Sequence, residues 1–328
     1  MIPLMQSHAS VRRVSSLVAA FAALVISCSL LGVPRAEAQS SIPVPDVPQS
    51  SLPEVSELAP GSAVPWRPPI PPSLTPRQSQ EMSVQTAEGE RSFILRVPDS
   101  YNEANPAPVL FAFGGSGDTA EKFLIYSQLH RTAGREALVI YPRSINGAWE
   151  PAPYSTLRPN ADVDFVRAIL DEVRKSYNID SSRIYAAGMS NGGGMAATLA
   201  CRAPELFAGV ASVSGAYYHD VDEGCAGGAT PSLIIHGTWD HLVHYDGGVL
   251  HGAPYFSVPE LHGRQLKRNG CTGGSTQHPG IGTTRFIGEG CAAETELLRV
   301  IGGGHNWYYI PDAASEVWNF LSRQQRQL

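Results

Sequence analysis

Short apolar runs alternate with segments of mixed character from about residue 82 to the end of the chain. Seven of these runs read as β-strands, and several are apolar throughout, as expected of a strand buried on both faces of a sheet. They span residues 92–97, 109–113, 137–141, 183–188, 209–214, 232–237 and 296–301. The alternation predicts βαβ units and therefore an α/β fold, in which helices flank a mostly parallel central sheet.

Three of the segments between these runs have the periodicity of a helix. The clearest spans residues 162–177, where apolar residues recur three or four positions apart and form one continuous stripe. Asp162 is predicted to cap this helix at its N-terminus. Residues 191–202 and 312–324 are predicted to form two further helices.

The first 82 residues have a different character. Residues 1–38 combine a basic pair, a long apolar stretch and a small-residue site ending at Ala38, which predicts a cleaved signal peptide. Lipid attachment at Cys28, or an uncleaved membrane anchor, is the alternative interpretation. Residues 39–82 hold 11 prolines between Ser41 and Gln80, which predicts an extended or disordered linker. The folded domain is therefore expected to span residues 83–328.

Composition narrows the class of protein. A hydrophobic fraction of 43% with 16% charged residues is typical of a globular domain with a large core. The net charge is −6, and no basic run is longer than Arg12-Arg13, which argues against a nucleic-acid partner. We expect a monomer located outside the cytoplasm, either free or attached to the cell wall or to lipid.

Removal of the signal peptide would leave four cysteines, an even number in an exported chain, which predicts two disulfides. Sequence alone allows three pairings. The local choice joins Cys201 to Cys225 and Cys271 to Cys291. No CxxC or HxxxH spacing accompanies these cysteines, so no metal site is predicted.

One serine stands in a pattern with chemical meaning. The stretch Gly188-Met189-Ser190-Asn191-Gly192 follows an apolar strand and opens a predicted helix, which is the context of a nucleophile elbow. The alternative is a glycine-rich helix packed closely on the sheet. For a nucleophile, the Asn191 amide is predicted to stabilise the oxyanion of the transition state. Gly115, after the strand at 109–113, is predicted as the second donor, with an ordinary glycine turn as the alternative.

A serine hydroxyl needs a base to remove its proton and an acid to orient that base. Asp240 and His305 each follow a predicted strand, and they occur in the order that an elbow serine requires. Asp246 is the nearest rival for the acid. His236 ends a buried strand and is predicted to be a core histidine instead.

The ordered motifs "VLFAFGGSGD", "NIDSSRIYAAGMSNGGGMA", "IIHGTWDHLV" and "GGGHNWY" resemble a known family. It comprises the secreted α/β-hydrolase esterases of the carbohydrate esterase family 1 type, which include feruloyl esterases, acetylxylan esterases and poly(3-hydroxybutyrate) depolymerases. The resemblance implies the α/β-hydrolase fold, the same two disulfides, and a triad of Ser190, Asp240 and His305. It also implies that Trp149 lies near the acyl pocket, although a plain core position is the alternative.

Two positions depart from this resemblance. Many relatives have His-Gly where this chain has Phe113-Gly114, and many have proline where it has Tyr308. The first departure affects the loop expected to provide Gly115. Neither departure affects the expected triad.

The expected function is a secreted serine carboxylesterase that works through an acyl-enzyme and needs no metal or organic cofactor. Feruloyl-type esters linked to polysaccharide are the expected substrates, and the ester could be polymeric. The alternatives are a hydroxybutyrate depolymerase, an acetylxylan esterase, a serine peptidase and a non-catalytic wall-binding protein.

Overall fold

A computed structural model describes residues 79–327 of the chain. The predicted signal peptide at 1–38, with Cys28, lies outside the described residues, as does most of the predicted linker. Strand β1 begins at Ser79, three residues before the predicted end of the linker at Met82. It pairs antiparallel with the next strand from Ser79↔Arg96 to Thr86↔Gly89. Its mostly polar sequence lacks the apolar run on which the strand predictions depend.

A ten-stranded sheet forms the centre of the domain. In chain order the strands are β1 Ser79–Thr86, β2 Gly89–Arg96, β3 Ala107–Phe113, β4 Leu138–Pro142, β5 Ile179–Met189, β6 Gly209–Val213, β7 Ser232–Gly237, β8 Gly248–Leu250, β9 Ala253–Tyr255, β10 Gly273–Gln277, β11 Thr283–Glu289 and β12 Thr295–Val300. The sheet order is β1-β2-β4-β3-β5-β6-β7-β12-β11-β10, while β8 and β9 form a separate hairpin. The six strands from β4 to β12 in this order are parallel, and antiparallel strands extend both edges.

Helices cover both faces of the sheet because successive strand residues point to opposite sides. The helices are α1 Ala120–Ser127, α2 Ala161–Arg174, α3 Asn191–Arg202, α4 Val258–Arg268 and α5 Ala313–Leu321. In β3, Leu110 and Ala112 pack beneath α1 and α5, whereas Phe111 and Phe113 pack beneath α2 and α3. Among the helices of residues 79–327, none has the length and apolar character needed to cross a bilayer.

The α/β fold predicted from the sequence is confirmed. The seven predicted strands correspond to β2–β7 and β12, and the three predicted helices correspond to α2, α3 and α5. The capping role predicted for Asp162 is wrong, because Asn160 occupies the N-cap of α2. Asp162 instead lies inside the helix with no exposed surface. Its carboxylate accepts hydrogen bonds from Arg91 Nη2 and from the Glu150 amide, both at 2.7 Å.

Both predicted disulfides are present. Cys201 at the end of α3 is bonded to Cys225, and Cys271 after α4 is bonded to Cys291 after β11. The local pairing is therefore confirmed over the two more distant ones. Each bond closes a loop of about 20 residues, which on the chain-entropy argument stabilises the fold by about 3 kcal/mol.

The buried Arg91–Asp162 pair provides a test of stability. Replacing Asp162 by alanine leaves the Arg91 side chain, which is only 2% exposed, without its carboxylate partner. We expect Asp162→Ala to lower the free energy of unfolding by about 3–5 kcal/mol in urea titrations. The matched control is Asp164→Ala on the same helix, whose carboxylate pairs with Arg158 at the surface, and it should cost less than about 1 kcal/mol. Equal losses in the two variants would contradict the assignment.

Candidate active site

Ser190 occupies the sharp turn between β5 and α3. Its backbone has φ 55° and ψ −122°, a left-handed conformation that a residue with a side chain adopts only under constraint. Neighbouring backbone supplies that constraint: the Ser190 amide donates to Val213 O at 3.0 Å. The Ser190 carbonyl accepts from the amides of Gly194 at 3.0 Å and Ala216 at 2.9 Å. Hydrogen bonds to strand β6 and to helix α3 therefore hold the turn in this conformation.

Glycines on both sides of Ser190 allow this turn to form. A Cβ atom at Gly188 would lie 2.1 Å from the carbonyl oxygen of Gly192, and one at Gly192 would lie 2.2 Å from that of Phe113. Both distances are far below van der Waals contact, and the opposing atoms belong to the backbone. The pentapeptide therefore has the close packing of a nucleophile elbow.

The structure brings Asp240 and His305 together at the carboxyl edge of the sheet. Asp240 follows β7, His305 follows β12, and these strands are parallel neighbours. His305 Nδ1 lies 2.8 Å from Asp240 Oδ2. Asp240 Oδ1 accepts from the amides of Leu242 and Val243 at 2.9 and 2.8 Å, which fixes the carboxylate. Asp246, the rival acid, is exposed to solvent.

A second histidine also touches this carboxylate. His236 is fully buried, as predicted for a core residue. Its Nε2 lies 3.0 Å from Val243 O and 3.2 Å from Asp240 Oδ2. Since a carbonyl can only accept a hydrogen bond, Nε2 must carry a hydrogen, which it shares with Asp240. This contact is not among the predictions from sequence, although the i, i+4 spacing of the two residues could have indicated it.

The environment of Asp240 favours its ionised form. Burial alone would raise the pKa of the Asp240 carboxyl. Hydrogen bonds from His236, His305 and the Val243 amide, together with the charge of His305, outweigh burial and lower this pKa far below its ordinary value. The group is thus a carboxylate over the whole range in which the protein would work.

Ser190 and His305 line one open cavity of about 540 Å³. The hydrogen bonds found within residues 79–327 do not include one between the two side chains, although both line the same cavity. The cavity has an aromatic side that contains Tyr154, Tyr218 and His251. The lining also contains the charged residues Asp118 and Lys122.

Gly115 is adjacent to Ser190, but its amide is engaged. A Cβ atom at Gly115 would lie 3.3 Å from Ser190 Cβ, so glycine keeps space open beside the nucleophile candidate. The Gly115 amide donates to Asp118 Oδ2 at 3.0 Å. The prediction that this amide faces the substrate is therefore wrong for this structure. Asp118 N also donates to Gly115 O, which closes a tight turn that sequence reasoning did not anticipate.

Trp149 lies beneath the site and does not contact the cavity. Its side chain is 2% exposed and packs edge-on against Phe113, with ring centroids 5.0 Å apart. The indole Nε1 donates to Gly114 O at 2.9 Å, and the Trp149 amide donates to Asn191 Oδ1 at 2.8 Å. The predicted place of Trp149 in the acyl pocket is therefore wrong. The residue instead joins the Gly114 loop to the first residue of α3.

The two departures from the family resemblance have clear structural places. Phe113 is fully buried against Trp149, so it fills the core below the Gly114 loop. Tyr308 is buried, and its hydroxyl donates to Gly304 O at 2.7 Å, beside His305. Burial raises the pKa of Tyr308 to about 12, so the hydroxyl keeps its proton and remains a donor. The Tyr308 side chain thus stabilises the loop that carries His305 by a hydrogen bond on its buried side.

Comparisons with known proteins identify the family of this chain. The model of the Esterase family, described as "Putative esterase", matches residues 84–251, just over half of the chain. Feruloyl esterase D of Neurospora crassa is 28% identical, covering 84% of this chain and 94% of that protein. The probable feruloyl esterase C of Aspergillus niger is 31% identical, covering 70% of this chain and 83% of its own.

A solved structure matches the same domain. The acetyl xylan esterase from Aspergillus awamori superimposes with a TM-score of 0.53 at 18% identity, over 74% of this chain and 99% of its own. At this identity the likeness shows the fold alone, which is the α/β-hydrolase fold. Since the family model spans the elbow and Asp240, the chain belongs to the Esterase family and is a hydrolase of carboxylic esters.

Proposed function

We propose that this chain is a secreted serine carboxylesterase that hydrolyses feruloyl-type esters linked to polysaccharide. The observation that carries the proposal is the pair of His305 and Asp240, hydrogen-bonded at 2.8 Å, beside a cavity that also holds the strained Ser190. A serine, a histidine and a carboxylate in this relation support nucleophilic acyl transfer.

In the proposed reaction His305 Nε2 takes the proton of Ser190 Oγ as the oxygen attacks the ester carbonyl carbon. The tetrahedral intermediate collapses, the ester C–O bond breaks, and the alcohol leaves with the proton held by His305. Water then gives a proton to His305 and attacks the acyl-enzyme, which releases the acid and restores the serine hydroxyl. No metal or organic cofactor enters this sequence of steps.

The Asn191 amide is the proposed donor to the oxyanion. It is the first amide of α3, where helix amides have no partner within the helix and the helix dipole is positive. The hydrogen bond from the Trp149 amide holds the Asn191 side chain away from the cavity, so that the backbone of Asn191 stays in place.

The proposed substrate class rests on the relatives and on the cavity. The two curated relatives are named as feruloyl esterases. The aromatic side of the cavity, with Tyr154 and Tyr218, suits the flat ring of a phenolic acid.

In the described part of the chain, the most exposed large apolar side chains all lie between residues 239 and 310: Trp239, Leu242, Val249, Ile281, Ile301, Tyr309 and Ile310. Leu242 and Tyr309 reach the cavity itself, which supports a bulky or polymeric substrate.

The proposal places the mature protein outside the cell. The two disulfides support an oxidising compartment, because such bonds persist mainly in exported proteins. Cleavage after Ala38 and a monomeric state belong to the same proposal.

Replacing the nucleophile tests the reaction. We expect Ser190→Ala to lose at least about 10,000-fold in kcat and to lose labelling by a fluorophosphonate, because the attacking oxygen is gone. The control is Ser275→Ala on the outer strand β10, which should keep both. Wild type should have its highest kcat/KM for methyl ferulate in a panel with p-nitrophenyl acetate, a hydroxybutyrate trimer and a peptide library.

Each failure in that experiment has a distinct meaning. Labelling of Ser190→Ala would overturn the assigned nucleophile. Absence of labelling in wild type would favour a non-catalytic wall-binding protein. A preference for the trimer or for peptides would replace the feruloyl substrate by a polyester or a peptide.

The pH dependence follows from the low pKa of Asp240. Because the Asp240 carboxyl stays ionised on acidification, His305 is the member of this pair that should gain a proton and stop acting as base. The logarithm of kcat/KM should therefore fall in acid with a slope of one. Steady-state kinetics between about pH 5 and 8, where histidine changes charge, measures this slope. A flat profile would count against His305 as the base.

Trp149 is proposed as a positioning residue for the oxyanion side of the site. Trp149→Phe keeps the aromatic packing but leaves the buried Gly114 carbonyl without its indole donor. We expect kcat to fall about 10- to 100-fold with KM within about twofold, because the loop shifts relative to Ser190. Trp318→Phe on α5, a buried tryptophan away from the site, is the matched control. Equal kinetics in the two variants would show that Trp149 is only a core residue.

A further inference from the structure

A short hairpin carries His251 to the wall of the substrate cavity. Strands β8 and β9 pair at Leu250↔Ala253, so the turn between them consists of His251 and Gly252 alone. Both have positive φ, 52° and 76°, the pattern of a type I′ turn. Asn-Gly is the preferred sequence of such a turn, so histidine is not the residue that the backbone would favour.

Two tyrosines hold the His251 ring in place. Tyr218 Oη lies 2.8 Å from His251 Nδ1. The Tyr154 ring packs edge-on against the imidazole, with centroids 4.6 Å apart. An isolated bridge between Tyr218 and Tyr255 ties the hairpin to the segment that carries Tyr218. The ring is thus fixed although its residue is exposed to solvent.

The contact with Tyr218 allows an arrangement in which the hydrogen of the His251 ring lies on Nε2. Burial raises the pKa of Tyr218 well above its ordinary value, so its hydroxyl keeps the proton and can donate to Nδ1. A neutral imidazole that accepts at Nδ1 carries its hydrogen on Nε2. Among the hydrogen bonds of residues 79–327, none uses His251 Nε2, so in this tautomer the Nε2–H group is available to a ligand in the cavity.

Asp118, which also lines the cavity, offers a contrasting arrangement. Asp118 Oδ2 already accepts from the Gly115 amide at 3.0 Å and from the Tyr126 hydroxyl at 2.6 Å. Asp118 Oδ1 lies 2.6 Å from Lys122 Nζ. The carboxylate is therefore occupied on both oxygens by groups of the protein itself. The aromatic wall is better suited to bind a ring that carries a hydroxyl group.

We propose that His251 is a specificity-determining residue whose Nε2–H donates a hydrogen bond to the phenolic oxygen of the acyl group. Tyr154 and Tyr218 contact the ring of that group while its ester reaches Ser190. The inference rests on the proposed function and deepens it, since it names the feature of the acid that the site recognises.

A pair of substrates that differ by one hydroxyl tests this inference. Methyl p-coumarate carries the phenolic hydroxyl, and methyl cinnamate lacks it. We expect wild type to prefer the coumarate by at least about tenfold in kcat/KM, because a site built to bind a hydroxyl discriminates against its absence. His251→Asn, which suits the turn and so keeps the fold, should reduce this ratio to within about twofold of unity, mainly through KM for the coumarate.

Further variants make the result specific. His251→Gly also suits positive φ and has no side-chain donor, so it should give the same loss. Tyr218→Phe keeps the ring but removes the hydroxyl that orients Nδ1, and its ratio should fall between those of wild type and His251→Asn. The control is His278→Asn, an exposed histidine between β10 and β11, which should retain the wild-type ratio.

The outcomes separate this inference from the proposed function. An unchanged ratio in folded His251→Asn and His251→Gly would overturn the inference. A wild-type ratio near one, with both esters hydrolysed well, would overturn it while leaving the esterase proposal intact. Hydrolysis of p-nitrophenyl acetate but of neither phenylpropenoate would overturn the proposed substrate class, and this inference with it.

Discussion

The hydrogen bond between His305 and Asp240 depends on a single feature of the sheet. The two residues are 65 positions apart, and they meet because β7 and β12 are parallel neighbours whose carboxyl ends lie side by side. A parallel sheet gathers the loops that follow its strands at one edge, so residues from distant segments converge there. Ser190 follows β5 at the same edge. The order of the strands therefore brings all three residues to the same edge of the sheet, whatever the conformation of each loop.

Backbone proximity then fixes how each loop is shaped. The elbow can form because Gly188 and Gly192 allow contacts that any Cβ would prevent. The histidine loop follows the same rule, since a Cβ at Gly237 would lie 2.1 Å from Gly303 O. A side chain at these positions would push the neighbouring loop outward and separate the groups that must meet. The glycines thus serve the geometry of the site more than the flexibility of the chain.

The sequence predicts what depends on local pattern and order. The buried strands show as apolar runs, and the elbow, Asp240 and His305 follow from spacing and from strand ends. The polar edge strands β1 and β10, strand β11, the hairpin β8–β9 and helix α1 were not anticipated, because partly exposed elements lack a continuous apolar run. Contacts between distant side chains were missed as well: Trp149 with Gly114, Asp118 with Gly115, and His236 with the acid. Such hydrogen bonds depend on rotamers and on small shifts between segments, which no linear pattern records.

A continuous chain of buried hydrogen bonds links the core to the site. Arg91 fixes the Asp162 carboxylate, which accepts from the Glu150 amide. Glu150 follows Trp149 directly, so this bond also sets the position of the indole. Trp149 in turn holds Gly114 O and Asn191 Oδ1, on the two sides of Ser190. A buried ion pair stabilises a fold little more than apolar packing would. The main contribution of the Arg91–Asp162 pair is therefore to orient the segment that contains Trp149 and Glu150. The pair therefore helps to hold the Gly114 loop and the start of α3 in register on the two sides of Ser190.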